Sequence, residues 1–141
     1  MEGVNDDLAF VIKDSGKRKE FPTGMQRDVT DNKPRFDLIM PECLNFDKQM
    51  LTRWAKHMEG GAKKYSERNW EKASTQEELN RFKESALRHL IQWYCGEEDE
   101  DHAAAVFFNI SGAEMVKVKL NAKDDVEEIF TKFQAEYLPK L

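Results

Sequence analysis

The chain has 141 residues, 40% hydrophobic and 35% charged, with a formal net charge of −5. That length buries a core without a disulfide or metal staple. The acidic balance argues against stable binding to nucleic acid, and no run approaches the ~18 apolar residues of a membrane span. Cys43 and Cys95 lack metal-ligand spacing and read as reduced thiols. The start "MEGVNDDLAF" has no basic region followed by a long apolar stretch, so no signal peptide is expected and the expected location is cytoplasmic.

Residues 1–35 have weak periodicity and many breakers, and are expected to form an irregular arm; "LAFVI" is a short strand or the root of that arm. Residues 36–141 are expected to form one helical domain. Pro41 opens a short helix that leads into a longer one at about 47–64, where Met50, Leu51, Trp54, Met58 and Ala62 recur at helical spacing. Gly60 and Gly61 weaken its end. "YSERNW" reads as the following loop. Thr75 and Glu78 have the spacing of a capping box, which starts a helix that runs to about Tyr94 and ends at Gly96. Five acids, Glu97 to Asp101, come next, and a helix begins among them. "NAKDDVEEIFTKFQAEYL" reads as a separate last helix, with Val126, Ile129, Phe130, Phe133 and Tyr137 on one face. Four main helices with short connections predict an all-α bundle, with Trp54, Leu87, Leu90, Ile91, Val106, Phe107, Phe108, Ile129 and Phe133 in the core.

The helix after the acids is apolar almost all round, yet Asp101, Ala105 and Asn109 stack at i, i+4, i+8. If the helix reaches back to Glu98, Glu98 and His102 fall within about 100° of that stripe. A buried polar stripe needs partners, and magnesium, which takes oxygen ligands, is a natural one. Acids at a helix start also suit a solvated cap. Asn109, two turns inside, favours a site. On the preceding helix Glu84 and His89 are about 140° apart, so Glu84 is the better ligand candidate, or else an ion-pair partner of Arg88. His89 is a catalytic candidate or a hydrogen-bonded boundary residue. Arg53, His57 and Lys64 share one edge of their helix and could meet phosphates or simply face solvent. Lys64, Arg68, Asn69 and Trp70 add phosphate donors and an aromatic plane that stacks a base or anchors the core.

In this order and spacing, "DNKPRFDLI", "GAKKYSERNWEK", "RFKESALRHLIQW" and "DEDHAAAVFFN" resemble the phage and bacterial family of dATP/dGTP diphosphohydrolase N-terminal domains. That family is related to the MazG-like all-α nucleoside triphosphate pyrophosphohydrolases. The resemblance covers residues 22–112. It implies a MazG-like bundle that assembles through its helices as a homodimer or homotetramer, located in the host cytoplasm if phage-encoded. It also implies cleavage of a deoxynucleoside triphosphate to monophosphate and pyrophosphate with Mg²⁺, or Mn²⁺ in its place. Glu98 and Asp101 match the family's ExxD motif, whereas Glu84 is followed three residues on by Leu87, not by the Glu of its ExxE motif. On this reading Glu84, Glu98 and Asp101 hold the metal, and Glu84 takes the proton from the attacking water. His89 or Asn109 stands in for the missing ligand. Lys33, Arg35, Arg53, Lys64 and Arg68 clamp phosphates, while Asn69, Trp70 and Asn109 hold base and sugar. Two rivals remain: a protein that binds nucleotides without hydrolysing them, and a structural or inhibitory helical protein whose acids are a cap. An HD-type phosphohydrolase is disfavoured because its His-Asp pair is absent; Asp101-His102 runs the other way.

Overall fold

The computed structural model describes Gly3–Val4 and residues 11–137. It divides into two compact units, Met1–Ile39 and Met40–Leu141. The first carries two antiparallel ladders where an irregular arm is expected. Strands β1 (Gly3–Val4) and β2 (Val11–Ile12) pair, as do β3 (Arg18–Glu20) and β4 (Gln26–Asp28). The rest of the "LAFVI" run, Leu8 to Phe10, lies outside the described residues. The β3–β4 hairpin closes through Gly24 at φ +87°, a conformation that L side chains resist. Asp14 supports it with a fork of hydrogen bonds from Arg18, at 2.7 and 2.8 Å. That guanidinium and the Gly16 N–H hold the Asp14 carboxyl well below its ordinary range.

The second unit is helical. Helix α1 spans Met50–Lys64, α2 Gln76–Tyr94 and α3 His102–Tyr137. The segment after Pro41 forms only a 3-10 turn, Phe46–Lys48, before α1. Gly60 and Gly61 weaken α1 without stopping it. A second 3-10 turn, Asn69–Lys72, links α1 to α2, with Arg68 left-handed at φ 57° in front of it. The capping box forms as expected: Thr75 Oγ1 accepts from the Glu78 N–H, and the Glu78 side chain accepts from the Thr75 N–H.

The separate last helix is not found. Residues 102–137 are one 36-residue rod, about 54 Å long at about 1.5 Å per residue. The polar stretch "KVKLNAKDD" resembles a linker, but it contains no Gly or Pro, and straight-chain residues continue a helix readily.

Packing is concentrated where α3 crosses α2. Ala73, Leu79, Ala113 and Val116 are buried, with Phe82, Met115 and Leu120 against them. Gly112 makes the crossing close: a Cβ there would lie 2.5 Å from the Phe82 ring. Phe108 gathers Trp70, Phe82 and His57 around its ring at centroid distances of 6.0, 5.8 and 5.6 Å. Lys119 Nζ ties α3 to the α1–α2 link by donating to the carbonyls of Glu71 and Ala73. The expected core is only partly there. Trp54, Val106 and Phe108 are half-buried. Leu87, Leu90, Ile91, Phe107, Ile129 and Phe133 are exposed, because the second unit has only three helices with which to cover them.

Candidate functional site

The α2–α3 turn is built by local chemistry. Gly96 sits left-handed at φ 80°. Its N–H donates to Trp93 O and that of Glu97 to Gln92 O, the paired bonds of a Schellman ending. Glu97 to Asp101 then cross to α3 outside any helix. The reading in which α3 extends back to Glu98 is therefore corrected, and wheel angles do not govern residues 97–101. Asp101 is the N-cap of α3: its Oδ1 accepts from Ala104 N–H at 3.0 Å.

Arg53 reaches Asp101 from α1. Its Nε and Nη2 donate to the two carboxylate oxygens at 2.8 and 2.7 Å, a two-pronged charge-assisted pair. The pair holds the Asp101 carboxyl below its ordinary range and raises the Arg53 guanidinium. A pocket of about 250 Å³ opens beside it, lined by Arg53, Trp93, Glu97, Glu98, Glu100, Asp101, His102 and Ala103. It gathers four acids around one guanidinium, a site suited to a cation carrying an anion.

Two buried histidines meet at the pocket, whose lining includes one of them, His102. His89 of α2 is 9% exposed and His102 of α3 is 2% exposed. Their Nδ1 atoms are 2.9 Å apart. His102 Nε2 meets Asp99 Oδ1 at 2.7 Å, and this bond lowers the Asp99 carboxyl. Burial pushes the His89 imidazole down. Asp99 thus has a partner of its own.

The other sequence candidates are scattered. Glu84 is exposed on α2, 3.6 Å from Arg81 rather than paired with Arg88. Glu98 lines the pocket with its side chain exposed. Glu84, Glu98 and Asp101 do not converge: among the described residues the His/Cys/Asp/Glu groups able to share an ion are His89–Glu100–His102 and Glu97–Asp99–His102. Asn109 is buried, and its Nδ2 donates to Ala105 O in its own helix at 2.8 Å. Trp70 packs edge-on against Phe108. Arg68 pairs with Glu71 at 2.6 Å, Asn69 is exposed, and Lys64 lies over the Tyr65 ring. Lys33 and Arg35 belong to the first unit, where Lys33 is 3.8 Å from Asp28 and Arg35 pairs with Asp37.

Sequence reasoning missed Trp93, Glu97 and Glu100 as pocket residues, and Asp99 as a partner of His102. The available signal was the three-residue spacing of Asp99 and His102, together with a histidine on each side of a tight turn.

The second unit is thus a helical domain with an acidic pocket crossed by one arginine. The chain is a member of the family described as "dATP/dGTP diphosphohydrolase, N-terminal", which its residues 23–125 match. No curated protein and no solved structure matches it. Among the described residues, no helix is long and apolar enough to cross a membrane.

Proposed function

We propose that this chain is a divalent-metal-dependent hydrolase that cleaves dATP or dGTP to the monophosphate and pyrophosphate. The family supports the substrate class. The observation that carries the reading to particular residues is the Arg53–Asp101 pair at the mouth of an acidic pocket.

The oxygen-rich lining of the pocket supports this choice of ion. Glu98 and Asp101 offer carboxylate oxygens beside Glu97 and Glu100, and magnesium takes oxygens, usually from one or two carboxylates plus phosphate. Mn²⁺ accepts the same donors. Bound there, the ion would neutralise the triphosphate and lower the pKa of a water. Glu98 and Asp101 are the proposed ligands; Glu84 does not line the pocket. The proton leaving the water would pass to a carboxylate that lines the pocket. His89 is a weaker base, because its Nδ1 already faces His102.

Arg53 has a role that its resting partner explains. Its planar fork matches phosphate oxygens as well as carboxylate oxygens. A triphosphate entering the pocket would compete with Asp101 for the guanidinium, which would free the carboxylate to serve as a metal ligand. Positioning and charge stabilisation of this kind carry most of phosphoryl transfer. Lys64 and Arg68 are further clamps, and Asn69 and Trp70 further contacts to base and sugar. Asn109, spent on Ala105, supports the helix that carries Asp101. Assembly of copies through the helices belongs to the same proposal. So does its relation to the MazG-like bundles.

Incubation of the purified protein with each dNTP and NTP plus Mg²⁺, followed by chromatography, is the test. Pyrophosphate and dAMP or dGMP are the expected products. Asp101→Asn should lower turnover by about 100-fold or more, by removing a charge from the metal set. The fold should survive, since Asn caps a helix as well as Asp. Full turnover in a well-folded Asp101→Asn protein would exclude this site. Saturable nucleotide binding with no product would favour the nucleotide-sequestering alternative. Neither binding nor turnover would favour a structural role.

A further inference from the structure

The geometry points to a second metal site, built by His89, His102 and Glu100, that takes a transition-metal ion of the zinc class rather than magnesium. It goes beyond the proposed hydrolase chemistry and stands whether or not that chemistry is correct.

The two Nδ1 atoms lie 2.9 Å apart, so either a proton or a cation must lie between two nitrogen lone pairs. The tautomer of His102 is set by its other side. Asp99 only accepts hydrogen bonds when ionised, so Nε2 of His102 carries a hydrogen and donates to it. The Nδ1 of a neutral His102 is then a bare lone pair aimed at His89. A carboxylate that fixes the far nitrogen of a histidine is the usual support behind a metal-ligating imidazole. Glu100 supplies the third donor: one of its oxygens lies within 4.8 Å of a ring nitrogen of each histidine.

Two imidazoles and one carboxylate suit zinc and its neighbours, whereas magnesium prefers oxygen alone. Zinc–nitrogen bonds of about 2.0–2.1 Å in a tetrahedron set the two nitrogens about 3.3 Å apart. The pair needs to open by only a few tenths of an ångström, with His89 carrying its hydrogen on Nε2. Three protein ligands leave a fourth position. Glu100 and His102 both line the pocket, so that position is open to water or to an anion bound there. The alternative group, Glu97–Asp99–His102, requires a bare Nε2 and so loses the Asp99 hydrogen bond.

The test is titration of the chelator-treated full chain with Co²⁺, a spectroscopic stand-in for Zn²⁺, followed by visible absorption and by thermal unfolding. One equivalent per chain should bind with tetrahedral-type visible bands and raise the unfolding temperature. A large excess of Mg²⁺ should not displace it. Asp99→Asn should weaken binding by about 10–100-fold. Glu100→Gln, at an exposed position, and His89→Gln should each remove the tetrahedral spectrum. Glu98→Gln should leave it unchanged. Absence of saturable Co²⁺ binding to the intact chain would overturn the assignment. So would a spectrum that survives Glu100→Gln in a chain whose circular dichroism is unaltered. Neither readout depends on nucleotide turnover, so failure here is distinct from failure of the hydrolase reading.

Discussion

Glu78 shows how much a single side chain can organise. It accepts from the backbone N–H groups of Ser74 and Thr75 at 3.1 and 3.2 Å, and from the Thr75 hydroxyl at 2.8 Å. The Ser74 N–H contributes most to holding its carboxyl below the ordinary value, and the Thr75 hydroxyl comes next. A carboxyl depressed in the fold stabilises it fully above the unfolded pKa of about 4.3. That contribution fades as pH falls through the lower folded value. Glu78→Gln should therefore flatten part of the acid-side loss of stability, as thermal melts between neutral and acidic pH would reveal. Thr75→Ala removes the other half of the box and should cost about 1 kcal/mol in urea denaturation. A loss well under half of that would show that α2 is held by packing rather than by its cap.

At the scale of the element, the α2–α3 crossing depends on one missing side chain. Gly112 is buried and faces the Phe82 ring. Gly112→Ala adds a methyl at 2.5 Å from that ring, which is overpacking of about 1–3 kcal/mol. The gain in helix propensity, about 1 kcal/mol, offsets part of this. A net loss in urea denaturation, with reduced near-UV aromatic circular dichroism, is the expected outcome. Net stabilisation would mean that Phe82 swings away freely. The same crossing explains why "ISGAEMV" does not end a helix at its glycine. There the glycine serves close approach, whereas Gly96 at positive φ serves termination.

For the whole molecule, the decisive feature is how much apolar surface the single chain leaves in water. On α2, Leu87, Ile91 and Trp93 are 58%, 54% and 56% exposed. The last four turns of α3 present Val126, Ile129, Phe130 and Phe133, all exposed. Such a surface is large for a monomer, and a second copy bearing the same face can cover it by two-fold pairing. Light scattering at micromolar concentration should therefore give a homodimer or homotetramer. Leu87→Glu with Ile91→Glu should dissociate it without loss of helix content by circular dichroism. A wild-type monomer would refute this.

The sequence by itself determined what is local. The 3.6-residue period, the Thr75–Glu78 box and the Gly96 stop each act within a turn or two of chain, so α1, α2 and their ends were legible from residue order. The family was legible too, because it is written in the spacing of short motifs. What only the tertiary structure decided depends on contacts between residues far apart. Arg53 and Asp101 are 48 positions apart, and nothing in either neighbourhood says that one would take the other as partner. His89 and His102 meet only because the Gly96 turn folds α2 back against α3. Apolar character told which residues would prefer burial. Which of them obtain it was left to the number of helices available to cover them, and three helices cover too few.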